Sequence, residues 1–282
     1  MSQSETTLAA GSTGLRAQLG AGTPAAARRR FAVIGCSVFS REFYAAAARS
    51  PYHVDLTFLP YQLHGAGSKN MVAEIQKNLD AVPAGYDAVV LGYALCNNGI
   101  IGLTARQAPL VALRSHDCIA CFLGSLERYQ QEFSKAPGTY WLSIGWVERC
   151  PDASEMLANT RKEPAPDDPM WRKMLAKYGE DNARFLWDEM QNQCQHYERL
   201  AFVDTGIGPQ EAAKAEAKRR SDSQGWRFEV IPGDRSWIEA LLTGDWDDKR
   251  FLVVPPGQRI VAKYDGSLIG AEPIAPSPKL IT

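Results

Sequence analysis

The sequence predicts an α/β protein: parallel sheets with crossover helices, arranged as two Rossmann-like lobes with a helical insert. Three observations predict it. Short, nearly continuous apolar runs alternate with alanine-rich or amphipathic stretches, as buried parallel strands alternate with the helices that link them. The alternation stops near residue 152 and resumes at residue 199. Cysteine, histidine and asparagine cluster just after the apolar runs, at the edge where open parallel sheets bind ligands.

The elements follow in order. Residues 30–35 (RFAVIG) form a short, glycine-terminated first strand, and 40–48 an alanine-rich helix with Phe43 and Tyr44 as apolar contacts. Residues 53–60 read as a second strand, and 70–79 as a helix with Met71, Ile75 and Leu79 at helical spacing. The run 87–92 (DAVVLG) is apolar enough for a strand buried on both faces, and 109–113 is similar. A helix is expected at 124–133 and a strand at 139–144 (TYWLSI), leading into Gly145 and Trp146. The stretch 152–199 is polar and helical, broken by PAPDDP, with Trp171, Leu175, Tyr178, Phe185 and Met190 as core contacts. Strands at 199–204, 226–231 and 251–254 then alternate with helices at 211–220 and 237–242. The expected organisation is a disordered tail at 1–29, a first α/β lobe at 30–150, a helical insert at 151–198, a second lobe at 199–262 and a tail at 263–282.

Composition narrows the function classes. With 45% hydrophobic and 22% charged residues, the 282-residue chain has ample material for a core. A net charge of −1 gives no general attraction to nucleic acid or to an anionic membrane, and no apolar run approaches a spanning helix. The first 30 residues are rich in Ala, Gly, Ser and Thr and end in three arginines, the reverse order of a secretory signal. Six cysteines without disulfide-scaffold spacing are expected as reduced thiols in the cytoplasm.

The candidate chemistry lies at the strand ends. Cys36 leaves the first strand in a turn, where a helix N-terminus would favour its thiolate. Cys96 lies in GYALCNNG, whose glycines and asparagines permit unusual backbone angles, with Tyr93 and Asn97 as cofactor contacts. LRSHDC is the densest cluster: Arg114, His116, Asp117 and Cys118 follow one strand. His116 and Cys118 would share a metal only in extended or turn backbone, because on a helix they point about 200° apart. Asp117 either orients the imidazole, accepts a proton, or caps a helix. His64 stands in a glycine-bearing loop that lacks P-loop spacing, and it and Arg114 are further candidate cofactor contacts. Asp204 and Thr205, at the end of a later strand, would bind a ligand hydroxyl or form a plain turn. Cys121 makes a single C-x-x-C with Cys118 but falls on an apolar face, and Cys150 and Cys194 lie near or in the insert. No nucleophile elbow, Walker sequence, zinc-protease helix or Rossmann glycine fingerprint is present.

Taken together, VIGC (33–36), GYALCNNG (92–99), LRSHDCIACFLGS (113–125), TYWLSIGW (139–146), DTG (204–206), GDW (244–246) and FLVVPPG (251–257) resemble the family known as domain of unknown function 1638. The similarity spans about Arg30 to Ile260. Members of that family are typically encoded near corrinoid-dependent methyltransferases and corrinoid proteins. The resemblance therefore implies a corrinoid protein or a methyltransferase as partner, and it puts Cys36, Cys96, His116, Asp117 and Cys118 at characteristic positions. The leading expectation is a zinc or iron–sulfur site ligated by Cys36, Cys96, Cys118 and His116, serving corrinoid-linked methyl transfer or one-carbon metabolism. Two alternatives stand beside it: a non-catalytic accessory subunit that holds a small molecule, and a metal-independent thiol enzyme with His116 as base.

Overall fold

The structure, a computed structural model, describes residues 29–150, 163–191 and 196–274. The expected disordered tail at 1–29 and Cys194 lie essentially outside those residues.

Four parallel strands build the first sheet: β1 (Arg30–Cys36), β2 (His53–Leu59), β3 (Ala88–Gly92) and β4 (Leu110–Leu113), in the order β2-β1-β3-β4. Helix α1 (Ser40–Ala47) crosses from β1 to β2, and α2 (Ser68–Asp80) from β2 to β3. Every residue of β3 and β4 is buried, which is why their sequences carry no polar alternation. The order reverses direction between β1 and β3, making a topological switch point there. At that point Gly35 pairs with Gly92. A Cβ on Gly92 would stand 2.9 Å from Gly35 Cα and 3.0 Å from the Phe43 ring, so the close approach requires glycine.

Helices α3 (Cys118–Leu123) and α4 (Leu126–Lys135) lead to β5 (Thr139–Ser143), and α5 (Ile144–Arg149) follows it. Strand β5 pairs in parallel with β6 (Arg199–Asp204), and β6 with β7 (Arg227–Pro232), as a second sheet. Helices α6 (Pro169–Tyr178) and α7 (Glu180–Gln191) form a hairpin before β6, turning at Gly179 and joined by the Trp171 and Trp187 rings, 5.8 Å apart. Helix α8 (Gln210–Gln224) crosses from β6 to β7, and α9 (Ser236–Thr243) leads to β8 (Phe251–Val254). Strand β8 then returns to the first sheet, antiparallel to β4. β9 (Gln258–Ala262) and β10 (Ile269–Pro273) close the described chain as an antiparallel hairpin.

The α/β class with parallel sheets and crossover helices is what the sequence predicts, but the sheets divide the chain differently from the expected boundaries at 150, 199 and 263. β5 belongs with β6 and β7, β8 belongs to the first sheet, and 269–273 is a strand rather than tail. Strand partners are set by long-range pairing, which apolar runs alone do not encode. The sheets also share a core. Ala201 and Val203 of β6 pack into the first sheet's cluster, while Leu200 and Phe202, pointing the other way, pack on Ala213 and Ala217 of α8.

A thiol and imidazole site at the switch point

Cys36 ends β1 and is buried. Strand β2 lies beside β1, and the 3-10 helix after it (Tyr61–Ala66) carries His64 back over the sheet edge. The Cys36 Sγ and His64 Nε2 atoms are 3.6 Å apart. Burial pushes the Cys36 thiol up to about 11, against a lowering contact from the Val38 backbone, and burial pushes the His64 imidazole down. The pair is therefore a neutral thiol beside a neutral ring.

Across the switch point, Tyr93 follows β3 fully buried, its ring 6.4 Å from that of His64. Its hydroxyl has no hydrogen-bond partner. Burial first, then the neighbouring Cys36 and Cys96, raise its pKa, so the phenol is close to both thiols. Cys96, Asn97 and Asn98 then run through three consecutive positive φ angles of 35°, 57° and 60°. Non-glycine residues seldom hold such angles unless their surroundings impose them. The surroundings here are the end of β4: Leu95 N–H donates to Ser115 O at 2.9 Å and Cys96 N–H to His116 O at 3.0 Å. The loops after β3 and β4 are zipped together, and Cys96 packs inward while Asn97 is exposed.

Cys118 opens α3 and is buried. Burial first, then Cys96, Asp117 and Cys36, raise its pKa, while the Trp146 indole lowers it. Trp146 Nε1 thus lies by the Cys118 thiol, yet it falls short of hydrogen-bond geometry and has no other partner. Its ring is 6.4 Å from His64. Cys96 is likewise raised by burial, and next by Cys121, Asp117 and Cys36. Cys36 acts on Cys96, and both act on Cys118, so the three thiols neighbour one another, close to one imidazole and two orphaned donors.

The other expected site residues sit elsewhere or are otherwise engaged. Asp117 caps α3, its Oδ1 accepting from Ile119 N–H at 2.9 Å and Ala120 N–H at 3.2 Å. His116 is exposed and lines a separate open cavity of about 560 Å³ with Tyr129 and Phe133. The extended backbone of Asp117, at φ −150° and ψ 177°, separates it from the helix that buries Cys118. Arg114 clamps the C-terminal segment instead of a cofactor, donating to Phe251 O at 3.1 Å, to Ser267 O at 2.8 Å and to Ile269 O. Asp204 pairs with Lys214 at 2.7 Å, and Thr205 donates to Glu42 Oε1 at 2.7 Å, tying β6 to α1. Cys121 and Cys150 are buried in the core. Among the described residues no three His, Cys, Asp or Glu side chains stand arranged to hold a metal ion.

Glu42 is the functional-looking residue that sequence reading passed over. It is 1% exposed, and burial raises its carboxyl to about 7 against the pull of Thr205, Arg41 and Arg235. The signal was there, an acid on the same helical face as Phe39, Phe43 and Ala46.

Fold and site define an α/β protein with buried thiols and an imidazole gathered at a sheet switch point. The chain belongs to the family described as protein of unknown function DUF1638, whose model matches residues 58–242. That span holds His64, Cys96 and Cys118, and it begins after Cys36. No curated protein and no solved structure matches the chain. Among the described residues no helix is long and apolar enough to cross a membrane.

Proposed function

We propose that the chain binds a soft metal ion, zinc in the first instance, through Cys36, Cys96, Cys118 and His64. His64 replaces His116 in the expected set because it is the imidazole that stands beside a thiol. The observation that carries the reading is the pair of buried, unpartnered donors, Tyr93 O–H and Trp146 N–H, at the thiols. An orphaned buried donor costs about 1–3 kcal/mol. A neutral thiol is a poor acceptor, whereas a metal-bound thiolate is a strong one. A metal ion would favour loss of the thiol protons to solvent, compensate the thiolate charge so formed and give both donors acceptors. Three Cys and one His is a common zinc set, reached here by turning the thiols toward one another. The resemblance to a family encoded beside corrinoid-dependent methyltransferases supports a role in methyl transfer or one-carbon metabolism, with a corrinoid protein or methyltransferase as partner.

One contact favours a second reading. Cys36 and His64, 3.6 Å apart, resemble a nucleophile and its base. With the thiol raised to about 11, only about one molecule in ten thousand is thiolate at neutral pH, so this reading ranks below the metal.

The test is elemental analysis with an absorption spectrum on chain purified without oxygen and supplied with zinc and iron. About one zinc per chain is expected, lost in Cys36→Ala, His64→Ala, Cys96→Ala and Cys118→Ala and kept in His116→Ala. Broad absorption near 400 nm would assign an iron–sulfur cluster to the same residues. A folded, metal-free protein would overturn the proposal and leave the Cys36–His64 pair as the reactive unit.

A further inference from the structure

A cavity of about 490 Å³ opens beside the thiol site and plays no part in holding a metal. Pockets of this size hold small organic molecules. Its apolar wall is aromatic: Phe58 of β2 and Tyr44 of α1 have ring centroids 5.4 Å apart, and Tyr44 is 58% exposed. Its polar side is Ser37, Ser40, Gln62 and Arg149. Tyr61 forms the end nearest the thiols, its ring 6.1 Å from that of Trp146.

Among the described residues lining this cavity, Arg149 is the charged side chain, and it differs from Arg41, which follows Ser40 on the neighbouring helix. Arg41 is spent on Glu148, with N–H···O distances of 2.7 and 2.5 Å. Arg149 has no carboxylate partner among the described residues, and its Nη2 rests 3.4 Å from Ser40 Oγ. The nearby Glu42 is turned to Thr205 at the base of the other sheet. A guanidinium with no carboxylate partner among the described residues, beside the Ser40 hydroxyl and in a cavity also lined by Ser37 and an aromatic wall, presents the features that recognise an anionic head on an apolar body.

We infer that this cavity binds a small organic anion, a carboxylate or phosphate monoester, with its head on Arg149 and Ser40 and its body against Phe58 and Tyr44. The site stands on its own geometry. Its relation to the proposed function is one of place: Ser37 follows Cys36, and Tyr61 belongs to the same short helix as His64. A ligand seated there would lie next to the thiols, as a substrate of that site must.

The experiment uses benzoate, phenyl phosphate and the neutral benzamide as probes on the full chain, by ligand-observed NMR and calorimetry. Benzoate or phenyl phosphate is expected to bind and benzamide to bind at least tenfold more weakly. The tighter of the two anions identifies the head group. Arg149→Gln, an exposed position, is expected to weaken the anion about tenfold and Arg149→Lys to recover part of it. Equal binding of benzoate and benzamide, no anion binding below about 10 mM, or unchanged affinity in Arg149→Gln would overturn the inference. Metal content is measured on the same samples. Anion binding without metal would sink the metal site and leave this one standing, and metal without anion binding would do the reverse.

Discussion

Strands β1 and β6 occupy equivalent places, each flanked on both sides in a parallel sheet, yet their ends are finished in opposite ways. β6 ends in charge: Asp204 is held by Lys214 and by Gly206 N–H, and Thr205 is bonded to Glu42. β1 ends in soft neutral groups, Cys36 against His64, with Tyr93 and Trp146 donors unpaired nearby. Both ends stand where α/β proteins bind ligands, so position alone does not mark a site. What separates them is the kind of polar atom left over: Glu42 Oε2 and Gln210 Oε1 are unpartnered acceptors near the β6 end, whereas the β1 end leaves donors beside thiols. The β6 end uses its side chains to join the sheets, while the β1 end keeps donors, strain and thiols in reserve.

Glu42 links the two ends and gives the largest expected effect. Its carboxyl moves from 4.5 to about 7 on folding, chiefly through burial. A carboxyl that binds its proton more tightly when folded contributes most at low pH, and that contribution is lost as pH rises from 4.5 through about 7. Above pH 7 the folded chain therefore carries a penalty of about 3 kcal/mol. Glu42→Gln keeps an acceptor for Thr205 and removes the charge. It should stabilise the protein increasingly between pH 5 and 8, read from urea unfolding at fixed pH values, and approach equality near pH 4. A stability difference that stays flat across that range would mean that Glu42 is solvated and that the β6 end is less closed than described.

Asp117 sharpens the other end of the comparison. If it serves as a cap, Asp117→Ala should cost about 1 kcal/mol and leave metal content unchanged, because α3 loses its first-turn acceptor while Cys118 stays on its scaffold. If metal content falls in proportion to none of the stability loss, so that a fully folded variant is empty, Asp117 belongs to the site after all.

These particular residues show what the sequence could carry. Thiols at strand ends were readable because β1, β3 and β4 are unbroken apolar runs, and a run of that kind has a definite end. The cap role of Asp117 was readable as one of three choices, since an acid directly before an apolar helix is a capping signal. The imidazole was not readable. His116 lies two residues from Cys118, whereas His64 reaches Cys36 only because β2 pairs with β1 in the order β2-β1-β3-β4. Strand order is a long-range property, and so is the return of β8 to β4. The orphaned donors were equally hidden, because Tyr93 and Trp146 read as ordinary core aromatics until their polar atoms are found without partners.

The smallest effect tests whether the β6 end is architecture alone. Lys214 and Asp204 are each about one-fifth exposed, so water screens their attraction. Such a pair contributes at most about 1 kcal/mol. Lys214→Met keeps the aliphatic stem over the strand end and deletes the charge. It should lower the unfolding midpoint only slightly, and less in high salt because the screened attraction is already weak there. Metal content and anion binding should both be unchanged, measured beside the unfolding curves. A loss of either function without loss of stability would show that charge at β6 reaches the site at β1. The two strand ends would then be halves of one cleft, and the distinction between a sheet-joining end and a thiol-bearing end would have to be drawn across both.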